Sequence, residues 1–313
     1  MAKQTVAKRR MVFWRAAATI LLVVVAGAVL AAHWHTVSAS LRIARGAKLS
    51  WLLGALIAMA ATFCIAAALY GVLALHRLRY TQTVLVELAT AFVNRLLPAG
   101  LGGLGLNGVY LYKHKHTVAE ATAIVSVNNL IGMIAHLGLF FGALLVYPSV
   151  FKQFAVGLHI HGSWQAGLLG LITIGLVVLL PNMRRRVAGF VRNVWQSLRR
   201  LHAANMLSAL GLAALLTVTY TAILYSVAHS VGLTLTPLRV FIVFSAGILA
   251  GTVTPTPGGL IGAEAGLFAG FVAYGAADAP AAAAVLLYRL ITYWLPLLPG
   301  LGALLIARRQ KLV

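Results

Sequence analysis

The chain has 313 residues, of which 61% are hydrophobic and only 9% charged, against roughly a quarter charged in soluble domains. Its 25 Lys and Arg outnumber its 4 Asp and Glu, giving a formal net charge of +21. This composition excludes a soluble domain and describes an integral membrane protein; the basic residues are scattered over short segments between apolar runs, which argues against a nucleic-acid-binding face.

A membrane span needs about 20 mainly apolar residues. In chain order, the first candidate is 12–32, behind Lys3, Lys8, Arg9, Arg10 and Arg15, and it reads as an uncleaved first helix rather than a signal peptide. The segment 38–50 reads as an amphipathic helix lying on the outer surface. A second span follows at 51–75, then a broken region at 83–112 around Asn94-Arg95-Leu96-Leu97-Pro98-Ala99-Gly100-Leu101-Gly102-Gly103. The run 117–147 is one span, about 46 Å long as a helix, so it must tilt or protrude. Next come a span at 164–181, a basic loop at 182–205 and a span at 206–232. A second broken region, 238–275, surrounds Thr252-Val253-Thr254-Pro255-Thr256-Pro257-Gly258-Gly259, and a last span covers 280–306. The predicted fold is all-α: a single polytopic membrane domain over 1–313, with about six full spans and two broken re-entrant regions.

Proline removes a backbone donor and glycine weakens a helix interior. Inside a bilayer, such freed backbone is tolerated only where protein or a water-filled cavity satisfies it. Each half, 12–147 and 164–306, reads span, span, broken region, span. Three crossings per half start the second half on the opposite side, so the halves are expected to be inverted repeats with a site at mid-membrane. With both termini cytoplasmic, eighteen of the basic residues lie inside and five outside, as the positive-inside rule requires.

Four acids exist: Glu87, Glu120, Glu264 and Asp278. Glu120 and Asp278 sit where helices begin and favour the dipole there. Glu87 and Glu264 fall inside the broken regions. Arg289 lies among leucines inside the last span, where an ionised side chain needs a partner or a cavity. Glu264 is its natural counter-charge, either as a structural pair or as the residue that orients an anion-binding arginine. Tyr293 and Pro296 share its face. Asn128 and Asn129 occupy the matching first-half position, bonding a neighbouring helix or lining a polar cavity. His136 reads as an interhelical donor or a proton relay. Arg95 can hold a phosphate near the loop amides or extend to the headgroup layer.

The three His-x-His pairs diverge on a helix and have no acid or cysteine beside them. The one cysteine, Cys64, allows no disulfide within the chain. No metal or cofactor is expected. No nucleophile motif, phosphate loop or paired carboxylates appear, so the chain is not expected to be an enzyme.

The segment Asn94 to Gly103, the series Thr254-Pro255-Thr256-Pro257-Gly258-Gly259 with Glu264, and Leu286-Leu287-Tyr288-Arg289-Leu290 with Tyr293-Trp294 resemble the lysylphosphatidylglycerol synthase transmembrane-region family, also called flippase-like domain proteins, over roughly 12–306. The family includes the membrane half of the multiple peptide resistance factor. The resemblance implies a bacterial or archaeal inner-membrane protein that handles an anionic phospholipid or a polyisoprenoid-linked lipid, without the soluble aminoacyl-transfer domain of some relatives. Asn107, Asn128 and Asn129 stand where relatives often carry charge, which implies a neutral first-half lining. The substrate-binding set is then Asn94, Arg95, Pro98, Gly102, Gly103, Asn107, Asn128, Asn129, Pro257, Gly258, Gly259, Glu264, Arg289 and Tyr293. The expected function is lipid translocation between the two Pro/Gly loops, the chain acting alone or as a homo-oligomer. The alternative is a scaffold for a glycosyltransferase or lipid synthase, a membrane-enzyme partner.

Overall fold

The computed structural model describes residues 34–96, 101–158, 203–254, 256 and 259–313. The expected spans 12–32 and 164–181, the basic loop up to residue 202, and Pro98, Pro257 and Gly258 lie outside them. Among the described residues every regular element is helical.

Helix α1, Trp34–Arg45, carries Arg42 and Arg45 in its last turn, where they complement the helix dipole. It starts and ends earlier than the expected surface helix at 38–50, because Gly46 and Ala47 turn the chain and Lys48 opens the next helix. α1 packs against α10, Asp278–Arg289.

Helix α2, Leu49–Leu73, and α7, Ala203–Ser230, form an antiparallel pair. At one end the Lys48 N–H donates to the Ser230 carbonyl at 2.9 Å, and Trp51 packs edge-on against Tyr225 at 6.1 Å. At the other end Leu69 and Leu73 meet Ala209 and Ala213 in one buried cluster. Small side chains at this seam let the backbones approach closely without a hydrophobic driving force.

Helix α5, Val118–Val146, opens on a capping box: Thr117 Oγ1 accepts the Glu120 N–H, and the Glu120 carboxylate accepts the Thr117 N–H at 2.9 Å. Glu120 therefore holds the helix-start role expected of it, and Asp278 sits likewise in the first turn of α10. The short helix α6, Pro148–Gly157, was not anticipated. Proline at its first position suits a helix start.

Both broken regions are antiparallel helical hairpins. The first pairs α3, Tyr80–Leu96, with α4, Leu101–Lys113. Thr83 Oγ1 lies 2.9 Å from the Tyr110 hydroxyl, and Thr90 Oγ1 donates to Asn107 Oδ1 at 2.9 Å. The second pairs α8, Pro237–Val253, with α9, Gly262–Ala273. At about 1.5 Å per residue these helices are roughly 18–26 Å long, short of the ~30 Å hydrocarbon layer.

The second hairpin closes on glycines. Gly247 faces Leu267, Gly251 faces Ala263, Gly266 faces Ala246 and Gly270 faces Val243. Gly259, at the tip, has φ +66°, and a Cβ there would approach the Gly251 carbonyl oxygen to 2.9 Å. Only glycine meets both conditions without strain.

The hairpins open at opposite ends of α5. Lys113, closing the first, donates to the C-terminal Val313 carbonyl at 3.0 Å, next to the start of α5. The second is anchored beyond the end of α5: the Tyr274 hydroxyl donates to the Val150 carbonyl at 3.0 Å, and Arg239 donates to Gln153 Oε1 at 3.1 Å.

The last span, 280–306 by sequence, runs from Asp278 to Arg309 and is interrupted. Between α10 and α11, Leu297–Arg309, the chain makes a wide π-turn over Leu290–Trp294, where the Leu295 N–H donates to the Leu290 carbonyl at 2.8 Å. Pro296 is the cause. It offers no N–H to the Thr292 carbonyl four residues back, and its ring crowds that carbonyl.

His116 staples the turns at the base of the first hairpin. It is 2% exposed, and its Nε2 accepts the N–H groups of Leu75 and His76 at 3.1 and 3.2 Å while Nδ1 bonds the Leu111 carbonyl. Only the neutral ring can accept at Nε2, and burial holds its pKa below the usual histidine value. The native state therefore binds fewer protons here than the unfolded chain does. The stability it contributes is complete above about pH 6.5 and falls as pH drops below that. Thermal melts of the purified protein should lose Tm on acidification, and His116→Ala, which removes two partly buried hydrogen bonds worth about 1 kcal/mol each, should remove most of that pH dependence.

Candidate functional site

The last turn of α3 and the first turn of α9 both reach the last span, at Thr292 and Arg289, and border one cavity between them. Arg95, in the last turn of α3, donates through Nη2 to the Thr292 carbonyl that Pro296 leaves free, and through Nη1 to the Ala91 carbonyl. It turns inward rather than extending toward a headgroup layer. The Tyr293 ring lies between two guanidinium groups, 5.3 Å from that of Arg95 and 4.6 Å from that of Arg289. The Tyr293 hydroxyl donates to the Arg95 carbonyl at 3.4 Å. Aromatic faces favour such cations.

Arg289 Nε donates to Glu264 Oε1 at 2.6 Å, with side chains 13% and 30% exposed. The counter-charge expected from the sequence is the one found. Glu264 sits in the first turn of α9, so the pair ties the inner helix of the second hairpin to the end of α10.

Asn94 caps the first hairpin internally: its Oδ1 accepts the Gly103 N–H across the turn. Gly102 packs so tightly on α3 that a Cβ would lie 2.6 Å from the Val93 carbonyl carbon. Gly102 serves close backbone approach, while Gly103 leaves room for the Asn94 and Thr90 side chains and borders the cavity beside Asn107.

Four adjoining cavities surround these groups. The first, about 700 Å³, lies between the tips and is lined by Asn94, Thr252, Thr254, Thr256, Gly259 and Arg289 among others. The second, about 570 Å³, is lined by Tyr70, Glu87, Thr90, Asn107, Asn128 and Asn129. A smaller one of about 210 Å³ reaches Arg95 and Tyr220. The fourth, about 620 Å³, is an apolar groove between α5, α7 and α8, walled by Met133, His136, Phe140, Phe244 and Leu249. Asn94 borders the first three, and Asn128 borders the second, third and fourth.

Four buried polar atoms find no hydrogen-bond partner among the described residues: Arg95 Nε, Asn128 Oδ1, His136 Nδ1 and Glu264 Oε2. Asn128 therefore lines a cavity without bonding a neighbouring helix through its oxygen. His136 packs against Phe241 and Phe244, at 5.7 and 6.0 Å, and its Nδ1 finds no hydrogen-bond partner among the described residues. Buried polar atoms without partners are exceptions that call for a ligand or water.

Of the expected site residues, Asn94, Arg95, Gly103, Asn107, Asn128, Asn129, Gly259, Glu264, Arg289 and Tyr293 come together here, with Gly102 packed behind them. Sequence reasoning left Glu87 without a role and passed over Tyr70, Tyr220 and the threonines of the second tip. A signal existed: Thr83, Glu87, Thr90 and Asn94 recur at four, three and four residues, a polar stripe along one face of α3.

Four described helical segments are long and apolar enough to cross a membrane. With two half-length hairpins meeting among them around a polar chamber, the fold is that of a multi-pass helical membrane protein. The family model of the lysylphosphatidylglycerol synthase TM region matches residues 14–300, and the chain belongs to that family. A search of curated proteins returns no match.

The Arg95 bridge is open to a double-mutant cycle. Arg95→Ala should cost about 1–3 kcal/mol by orphaning the Thr292 carbonyl. In a Pro296→Ala background a backbone N–H returns to that carbonyl, so the same substitution should cost measurably less. Denaturant unfolding of the four proteins gives the coupling.

Proposed function

We propose that the chain is a lipid translocase of the inner membrane, with both termini cytoplasmic, and that the chamber between the hairpin tips receives an anionic lipid headgroup. One observation carries the reading: adjoining cavities, one bordered by Arg289 and another by Arg95, with amide and threonine side chains in their walls, meet an apolar groove at Asn128 and Thr252. That juxtaposition suits an amphiphile, with its headgroup among Asn94, the tip threonines and Arg289 and its hydrocarbon along Phe140 and Phe244. The N-termini of α4 and α9 lie at the tips, where their dipoles favour a negative charge. Hairpins opening at opposite ends of α5 support an inverted repeat. In that arrangement one repeat rocks against the other and exposes the chamber to each face in turn. In this reading the chain performs no covalent chemistry.

Reconstituted protein should accelerate leaflet exchange of a labelled anionic phospholipid. Arg289→Ala, which removes the cation and leaves Glu264 uncompensated, should slow exchange at least about tenfold, equivalent to about 1.4 kcal/mol. Equal rates in the variant and the wild type overturn the reading.

A further inference from the structure

Glu87 lies on α3 at the wall of the second cavity, and the lipid-binding reading gives it no task. Asn107 Nδ2 donates to its Oε1 at 2.9 Å and to the Tyr70 hydroxyl at 3.0 Å. Thr90, Asn128 and Asn129 complete the neutral wall. No cation among the described residues pairs with Glu87. Glu264, the other intramembrane acid, is matched by Arg289 at 2.6 Å. Among the described residues, one half of the molecule thus holds an ion-paired carboxyl and the other a carboxyl without an ion-pair partner. Ionisable groups at membrane depth mark ion or proton pathways.

We infer that Glu87 is a proton-binding site whose occupancy is coupled to binding of the anionic headgroup, an inference that rests on the translocase reading. A proton rather than a metal cation is favoured by the neighbours. Asn107 turns its N–H donors toward the carboxyl and the tyrosine, while its oxygen accepts from Thr90. A metal would need lone pairs there instead.

The charge count gives the coupling. The Glu264–Arg289 pair is neutral, Arg95 carries one positive charge, and Glu87 carries one negative charge or none. With Glu87 ionised the chamber groups sum to zero; with Glu87 protonated they sum to one positive charge, which one anionic headgroup neutralises. The step is a single proton transfer: a carboxylate oxygen gains a proton from water on one face as the headgroup enters, and the O–H bond breaks to return it on the other. Linkage is reciprocal, so headgroup binding favours the proton and the proton favours the headgroup. The titratable or charged groups that line cavities with Glu87 are Tyr70 from α2, Tyr220 from α7 and Arg95 from α3 itself. Asn107 on α4, Asn128 and Asn129 on α5, and Thr252 on α8 are neutral, and α11 packs on α3 through Gly300, Ala303 and Leu304.

The test uses the full chain in vesicles of phosphatidylcholine with labelled phosphatidylglycerol. Infrared difference spectra on phosphatidylglycerol addition should show a protonated-carboxyl carbonyl band, lost in Glu87→Gln and kept in Glu264→Gln. In wild-type protein, phosphatidylglycerol affinity should fall by up to about tenfold per pH unit on the alkaline side of that proton's release, and an imposed pH gradient should bias the direction of exchange. Glu87→Gln should flatten the pH profile. Binding with no such band, a flat wild-type profile, or exchange biased by sodium instead of protons overturns the inference and leaves the translocase reading intact. Absence of any phosphatidylglycerol binding overturns that reading and this inference with it.

Discussion

The placement of the first hairpin's tip end against the last span turns on one backbone carbonyl. Pro296 deprives Thr292 of its intrahelical donor, and Arg95, 197 residues earlier in the chain, supplies another. A carbonyl left bare at membrane depth would be costly, and so would an arginine without acceptors. Each group removes the other's penalty. The same contact sets the tip of the first hairpin against the last span and brings Tyr293 between two guanidinium groups. The chamber exists because these tips are held face to face while their bases open at opposite ends of α5.

Much of this was legible from residue type. The breaks in 83–112 and 238–275 follow from proline and glycine in apolar runs, and two half-length helices are what remains on either side. Glu264 was identifiable as the partner of Arg289 because few acids exist: Glu120 and Asp278 begin helices, and Glu87 falls in the broken region of the other half. Glu120 fits a capping box by spacing alone. The Arg95–Thr292 bridge was not legible. It joins a side chain to a backbone carbonyl across most of the chain, and no periodicity reports such a pairing. Pro296 was visible inside a predicted span, yet the turn it forces depends on which donor replaces the lost one. Helix α6 was missed because it is only ten residues long, too short to read as a span.

The two halves are chemically unequal. In the second half Glu264 of the hairpin is matched by Arg289 of α10, with three threonines near the hairpin tip; the first hairpin carries amides, Arg95 and a carboxyl without an ion-pair partner among the described residues. Mirrored architecture can therefore serve different tasks on its two sides, one holding charge fixed and the other free to change it. The apolar groove beside Asn128 extends the neutral side toward the hydrocarbon, so a bound molecule meets both environments along its length.

The glycine seam between α8 and α9 bears on how the protein can move. Backbone packed closely on backbone at Gly262, Gly266 and Gly270 leaves few side chains between the helices whose rotamers can absorb sliding. The first hairpin, joined by hydroxyls and amides, has bonds that can be exchanged for others. Any rearrangement of the chamber then treats the second hairpin as an inflexible wedge and the first as the compliant jaw that closes upon it.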